Sequence, residues 1–331
     1  MRVLVTGAFG NIGVHTITEL VRRGHTVRCF DLDTPRNRRA ARLWRGRVEL
    51  QWGDLRQAEA VAAAVADQAA VVHLAFVIPH LSTTGINSEA EPDWARTINV
   101  GGTQQLIQAL QAQTTPARLL FTSSLHVFGR TQHLPPPRYL SDPVEPLEHY
   151  AQHKVICEEM IQGSGLTWSI FRLAAALPVR LILDPGMFDV PLDNRIEFVH
   201  GRDVATAIAN ALESDRAWGK VWLIGGGPAC QLRQREIVSH VMATIGLDML
   251  PESAFTHTPY PVDWLDTTES QAVLNFQQHT LKDYLGDVAR ALGARRHVVR
   301  AIQPWLRAWL LRQSLYYRTS ADLVAARTAA G

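Results

Sequence analysis

A short apolar strand that breaks into closely spaced glycines and then into an amphipathic helix leaves few folds open. Here Arg2-Val3-Leu4-Val5 runs into Thr6-Gly7-Ala8-Phe9-Gly10-Asn11-Ile12-Gly13. Helical periodicity follows from Asn11 to Arg23 and stops at Gly24, a suitable residue just past a helix end. A glycine turn in this place lets the backbone approach a pyrophosphate, and the helix start offers free N–H groups and the positive end of its dipole. Glycine turns are common, so the flanking strand and helix carry the argument.

The rest of the first half keeps that rhythm. Thr26 to Phe30, Val48 to Trp52, Ala70 to Ala75 and Arg118 to Thr122 read as strands, rich in Val and Leu and with little alternation. Strands buried on both faces have this pattern. Gln57 to Val65 and Val100 to Gln113 read as helices between them. The order predicts an α/β fold, a Rossmann-like doubly wound parallel sheet with a smaller C-terminal substrate-binding lobe. Further strands are expected at Leu166 to Arg172 and Lys220 to Ile224, and helices at Asp203 to Leu212, with Asp203 as N-cap, and at Leu232 to Ile245. Leu134 to Pro146 and Pro251 to Pro261 are Pro-rich and read as loops. We divide the chain into a nucleotide-binding domain, residues 1–173 with later contributions from about 198–225, and a substrate lobe, residues 174–197 and 226–294. A basic helical tail, residues 295–331, completes it.

An acid follows the second strand. Asp31 can accept hydrogen bonds from the adenosine ribose hydroxyls and would repel a 2′-phosphate, which favours NAD over NADP. Arg36, Arg38 and Arg39 follow closely and are what an NADP reading would rest on. Tyr150 and Lys154 stand one helical turn apart in Tyr150-Ala151-Gln152-His153-Lys154, in a chain with only three lysines. A free phenol, with a pKa near ~10, is a poor base at neutral pH. A neighbouring ammonium and the positive ring of an oxidised nicotinamide favour its phenolate, so Tyr150 could shuttle an alcohol proton while the cofactor takes the hydride.

Composition narrows the classes. Hydrophobic residues make up 47% and charged residues 19%, as in a folded globular chain. The formal net charge of +2 and the lack of any basic stripe in the body argue against nucleic acid as a partner. Cys29, Cys157 and Cys230 form no CxxC pair, so we expect neither a disulfide framework nor a metal site, only buried thiols. The first strand does not read as a signal peptide and no apolar run is long enough for a membrane span, so a cytoplasmic location is the default expectation.

Taken together these motifs resemble the extended short-chain dehydrogenase/reductases, also called NAD-dependent epimerase/dehydratases. The resemblance reaches to about residue 290 and rests on motifs in the family order. They are Thr6 to Gly13, Gly53-Asp54-Leu55, His73-Leu74-Ala75, Asn99-Val100-Gly101-Gly102-Thr103, Ser123 to Gly129, the Tyr150/Lys154 pair and Phe198 to Ala205. Leu223 to Gly227 follows as a strand-to-glycine segment. The resemblance implies a glycine loop of Gly7, Phe9, Gly10, Asn11, Ile12 and Gly13 for the dinucleotide. It puts Asp54 and Leu55 beside the adenine and Leu74 and Ala75 along the cofactor channel, with Asn99 nearby and open to a purely structural role. Ser124 would hydrogen-bond the reacting oxygen, Tyr150 would be the acid/base, and Lys154 would bind the nicotinamide ribose and tune Tyr150.

Two departures bear on substrate. Leu125-His126 stands where the dehydratase branch has an Asp-Glu pair, which argues against a 4,6-dehydratase. Ala175 stands where many sugar-nucleotide members have an asparagine, so the pocket wall there is apolar and a less polar ketone or alcohol gains ground. His126 occupies a slot that in some members holds an extra acid/base, and a histidine there could move a proton.

The expected activity is an NAD-dependent dehydrogenase/reductase on a small-molecule secondary alcohol or ketone. The alternatives are a nucleotide-sugar epimerase and, from another class, a non-catalytic NAD-binding regulatory protein. A homodimer is expected. The tail is rich in arginine between Asp287 and Asp322, including Arg290, Arg295, Arg296, Arg300, Arg307, Arg312 and Arg318. Val298, Val299, Ile302, Trp305, Leu306, Trp309 and Leu310 recur at helical spacing, with a kink or new start at Pro304. We expect this helix to dock its apolar residues on the protein itself or on a second subunit, with peripheral membrane contact as the alternative.

Overall fold

The computed structural model describes residues 1–79, 85, 87–179 and 183–317. Arg318 and Asp322, used in the reading of the tail, lie outside the described residues.

The first half alternates strand and helix: β1 (Arg2–Thr6), α1 (Asn11–Arg22), β2 (Thr26–Asp31), α2 (Pro35–Ala41), β3 (Glu49–Trp52), α3 (Ala58–Val65) and β4 (Ala70–His73). A short α4 (Pro92–Arg96) passes through a π-helical turn, Thr97–Gly101, into α5 (Gly102–Gln111). Then come β5 (Arg118–Ser124), α6 (His149–Gln162), β6 (Trp168–Leu173), β7 (Arg195–Glu197), α7 (Gly201–Leu212), β8 (Lys220–Ile224) and β9 (Gln231–Arg233). Five helices close the described chain: α8 (Gln234–Ile245), α9 (Thr268–Leu274), α10 (Leu281–Leu292), α11 (Arg295–Ala301) and α12 (Gln303–Gln313).

Seven strands form one parallel sheet in the order β3-β2-β1-β4-β5-β6-β8. The chain builds outward from β1 in one direction, then returns to β4 and builds in the other. The crevice at the carboxyl ends of β1 and β4 is therefore the switch point, where open α/β sheets bind ligands. Both faces are covered. Val3 and Val5 enter the core on one side of β1, and Leu4 enters the core on the other. On the first side the apolar core runs on through Phe198 and Trp222 to Val238 on α8 and Tyr284 on α10. Helices α1 and α7 pack against each other there. The alanines of α7, Ala205, Ala207, Ala209 and Ala211, are buried, and such small side chains let the two backbones come close.

The second lobe hangs on a few buried ties. The short antiparallel pair β7/β9 is fastened by Glu197, whose carboxylate accepts from Leu265 N (2.7 Å), Gly227 N (3.0 Å) and Gln231 Nε2 (3.2 Å). Burial raises its carboxyl to about 7. Asp203 is not the N-cap. His200 is, its Nδ1 accepting from Arg202 N at 3.1 Å, and α7 begins at Gly201. Asp203 is buried two residues inside the helix start. It accepts from the Gln278 and His279 amides at 3.1 and 2.9 Å, so its carboxylate docks the loop that leads into α10.

The other strands and helices expected from the sequence fall within a few residues of expectation, while α4, β7, β9, α9 and α10 were not expected, and Gly24 follows α1 at φ +80°. Helix α2 was unmarked, although Thr34 caps it by accepting from Asn37 N and Pro35 opens it. All three cysteines are buried thiols.

Candidate active site

The glycine loop is built by close approach. Gly7 lies at φ +63°, and a Cβ there would sit 2.7 Å from Ala75 N. A Cβ on Gly13 would sit 2.4 Å from both Gly7 O and Ala8 O. These contacts are to backbone atoms, which cannot swing aside, so glycine is required at both places. Gly10 opens α1 with extended backbone and no side-chain cap, leaving the first helical N–H groups open to an anion.

The loop borders a cavity of about 1050 Å³. Gly7, Phe9, Gly10, Asn11, Ile12 and Gly13 line it, as do Asp31, Asp54, Leu55, Leu74 and Ala75. Ser124, Tyr150 and Lys154 line the same cavity. Residues from the loops after β1 and β4 and from β2, β5 and α6, far apart in the chain, thus meet on one space.

Asp31 is held more firmly than a turn residue would be. Its carboxylate accepts from Phe9 N (2.9 Å), Leu32 N (2.8 Å) and Asn37 Nδ2 (3.0 Å). Burial raises its carboxyl, and those donors together with Arg36 work against the shift. Two carboxylate oxygens offer about four acceptor positions, so three protein donors leave room for a ligand hydroxyl. Of the three neighbouring arginines only Arg36 lines the cavity. Arg38 is paired with Asp33, its Nη2 2.7 Å from Oδ2. Asp54 pairs with Arg56 at 2.6 Å, which holds its carboxyl below the usual range.

Asn99 does not line the cavity. Its side chain is buried behind the wall, where it accepts from Val77 N (2.7 Å) and donates to Val77 O (3.0 Å). It clamps the segment after β4. His73 does similar work, bridging Thr6 Oγ1 (2.7 Å) and Thr103 Oγ1 (3.0 Å), and burial lowers its imidazole to about 3, so it stays neutral.

Helix α6 aims the reactive pair. Glu89 caps it from outside, accepting from His149 N and Tyr150 N, both at 2.9 Å. The Tyr150 and Ser124 hydroxyls face the same cavity, and Ser124 acts on the Tyr150 phenol. Burial pushes the phenol up to about 12, with the neighbouring Ser124 hydroxyl acting in the opposite direction. Lys154 donates to Thr122 O at 2.6 Å, and its Nζ lies 3.5 Å from the Phe76 ring centre and 5.7 Å from that of Tyr150. Burial lowers the ammonium to about 7.

His126 lies beside this pair, not in the cavity lining. Its ring meets Tyr150 edge-to-face at 5.7 Å and Tyr260 likewise at 5.4 Å, and its Nδ1 is 2.6 Å from Glu148 Oε2. Glu148, Glu89, Phe76 and Tyr260 were not singled out from sequence. Glu148 stands just before the Tyr150 helix, but its pairing with a residue 22 positions away has no local signal.

Beyond β6 the wall is apolar. Leu173, Ala174, Ala176, Pro178 and Val179 line it, and Asn11 Nδ2 donates to Ala176 O at 2.9 Å, fastening the wall to the glycine loop. Ala175, expected to form that wall, does not line the cavity: its backbone donates to Glu197 O at 3.0 Å, and its neighbours make the wall.

Comparison with known proteins agrees with this layout. The NAD dependent epimerase/dehydratase family signature matches residues 3–178. A 3 beta-hydroxysteroid dehydrogenase/Delta 5-->4-isomerase of Mycobacterium tuberculosis is 35% identical over 125 residues, 37% of this chain and 31% of that protein. The chain spans about half or less of the length of the curated relatives it matches. Among solved structures, a dTDP-glucose 4,6-dehydratase double mutant from Streptomyces venezuelae with NAD bound is 25% identical with a TM-score of 0.75. The match covers 90% of this chain and 98% of that one. A UDP-glucose-4-epimerase from Stenotrophomonas maltophila with bound NAD shares the fold, with a TM-score of 0.72 at 22% identity over 90% of this chain and 99% of that one. With its glycine cradle, its Ser124–Tyr150–Lys154 group and a family signature over more than half its length, the chain belongs to the NAD dependent epimerase/dehydratase family.

Proposed function

We propose that the chain is an NAD-dependent oxidoreductase that interconverts a secondary alcohol and its ketone, with Tyr150 as the proton-transfer group. The observation that carries this reading is the meeting of Ser124, Tyr150 and Lys154 on the cavity bordered by the glycine loop. The residues present fit a dinucleotide: the cradle excludes any Cβ at Gly7 and Gly13, and Asp31 keeps acceptor capacity. Gly7 to Gly13 would hold the pyrophosphate, Asp31 a ribose, Asp54 and Leu55 the adenine side, and Lys154 the nicotinamide ribose. NAD, when bound, exchanges a hydride with the substrate carbon and brings a positive ring to the site.

Tyr150, at about 12, carries its proton at neutral pH and is ready to donate it to a ketone oxygen. In the other direction it must accept the alcohol proton, which positive charge beside it favours. Ser124 orients the same oxygen. The apolar wall from Leu173 to Val179 supports a substrate with little polarity on that side. Incubation with NAD and a panel of secondary alcohols, read as NADH absorbance, tests the reaction. Mass spectrometry of the purified protein identifies any retained dinucleotide. Retained NAD with sugar interconversion and no net redox would mark an epimerase instead, and retained dinucleotide with no turnover a regulatory protein.

The cofactor reading has its own test. Asp31→Ala removes one charge-assisted acceptor, worth about 1.5–3 kcal/mol, so NAD binding is expected to weaken by roughly ten- to a hundredfold and discrimination against NADP to relax. Titration of both dinucleotides measures this. If the wild-type chain binds NADP at least as tightly as NAD, Arg36 and not Asp31 decides the preference.

His126 is proposed as a second proton-transfer group. Glu148 on Nδ1 would fix the ring and leave Nε2 as the working nitrogen, as in other base–orienter pairs. His126→Ala is then expected to lower kcat by roughly ten- to a hundredfold with little change in KM, and added imidazole to restore part of the rate. Turnover within twofold of wild type would remove His126 from the mechanism.

A further inference from the structure

The tail helices present two apolar faces, and only one is covered. Val299 and Leu310 are buried, and Leu306 and Leu311 pack against the core. The docking is close: the α8 terminus ends in Gly246, whose Cβ would sit 2.9 Å from Arg296 O. Arg307 donates to Met249 O and Ser314 to Ala254 O, both at 2.6 Å, and Tyr316 Oη to Asp189 at 2.9 Å. The expected docking on the protein therefore holds for this face. It does not hold for the tryptophans. Val298, Ile302, Trp305 and Trp309 stand 60%, 43%, 72% and 40% exposed. Their spacing, i, i+4, i+7 and i+11, is that of one helix face, with Val298 on α11, Ile302 at the junction, and Trp305 and Trp309 on α12.

The charge around the stripe has one sign. Arg295 and Arg312 are exposed on its side, Arg296 and Arg300 project from the other side of α11 where Gly246 approaches it, and the sequence has no Asp or Glu from residue 288 to 321. Asp248, on the neighbouring turn, is engaged by Gln303. A twofold contact between copies of this ridge would set arginines against arginines, which disfavours a second copy as the occupant. A protein partner of ordinary size needs about 800 Å² of complementary surface per side, far more than four side chains in a row. A lipid bilayer needs no such complementarity. Tryptophans enter the headgroup boundary, arginine stems lie along the acyl surface, and their guanidinium groups meet phosphates.

We propose that the α11–α12 ridge seats on an anionic membrane surface, with Trp305 and Trp309 inserted and Arg295 and Arg312 on the headgroups. The test is co-sedimentation of the full chain with vesicles of phosphatidylglycerol and phosphatidylcholine in equal parts, against phosphatidylcholine alone. Binding is expected to the first at about 0.01 M salt and to be lost at about 1 M, where the Debye length falls from ~30 to ~3 Å. Arg295→Gln with Arg312→Gln should weaken binding about thirtyfold, near fivefold per charge. Trp305→Ala should weaken it further and remove the blue shift of tryptophan emission on binding, with the circular dichroism spectrum unchanged. Equal binding to both vesicle types, or none at low salt, overturns the proposal. So does a Trp305 that acrylamide cannot quench in the free chain, since the face would then be covered from within. A dimer in sedimentation velocity that Trp305→Ala dissolves also overturns it, by making the ridge a subunit contact.

Discussion

Tyr150→Phe is expected to lower kcat by roughly 10²–10⁴-fold while dinucleotide affinity stays within about twofold of wild type. The two side chains differ by one hydroxyl. The ring keeps its place against Phe76 and His126, so packing is preserved. What is lost is the hydroxyl that faces Ser124 and carries the proton. Ser124 Oγ still accepts from His126 N at 3.3 Å and its O–H faces the cavity, where water can accept it, so stability should change little. Steady-state turnover beside a dinucleotide titration separates the two quantities. Normal turnover in Tyr150→Phe would sink the assignment. A loss of turnover together with a comparable loss of affinity would mean that Tyr150 mainly shapes the binding site.

Glu158→Ala is expected to destabilise the fold by about 3–5 kcal/mol. Arg172 on β6 and Glu158 on α6 form a buried two-pronged pair at 2.7 and 3.1 Å, with the guanidinium stacked on Phe128 at 5.1 Å. Removing the carboxylate leaves a buried positive charge with no partner of opposite sign. The double change Glu158→Leu with Arg172→Met removes both charges and should recover most of the loss. Denaturant unfolding of the two variants checks this. A loss below about 1 kcal/mol in Glu158→Ala would show that water reaches the pair and screens it. The pair also bears on catalysis. Glu158 lies one helical turn beyond Lys154, so the tie fixes the helix that carries Tyr150 and Lys154 over the ends of β5 and β6. Turnover should therefore fall in Glu158→Ala even at temperatures where the chain stays folded.

The local elements were legible because their causes are local. Runs of Val and Leu bury both faces of a strand, as the fully covered β4 shows, and a glycine ends α1 at positive φ. The glycine loop could be read because Gly7 and Gly13 have no substitute where backbone meets backbone. The Tyr150/Lys154 spacing could be read because one helical turn aligns the two residues. Helix α10 had a local signal that was missed, a Thr280–Asp283 capping box. Misplacing the start of α7 had a different cause. Asp203 is the kind of residue that caps helices, and only the arrival of residues 278 and 279, some 75 positions on, gives its carboxylate other donors.

The rest depends on contacts that spacing does not encode. Glu148 on His126, Glu89 over the start of α6 and Phe76 beneath Lys154 each join segments from different parts of the chain. Asn99 sits in a motif associated with the cofactor, yet its amide is taken up by the Val77 backbone. In the tail the sequence determined an amphipathic, arginine-rich helix with a new start at Pro304. It could not divide the apolar residues between two faces, because periodicity ranks positions around a helix but does not say how wide a strip the body covers. Tertiary packing decided that: α8 and the turn after it take Val299, Leu306 and Leu310, and Trp305 and Trp309 are left on the outside.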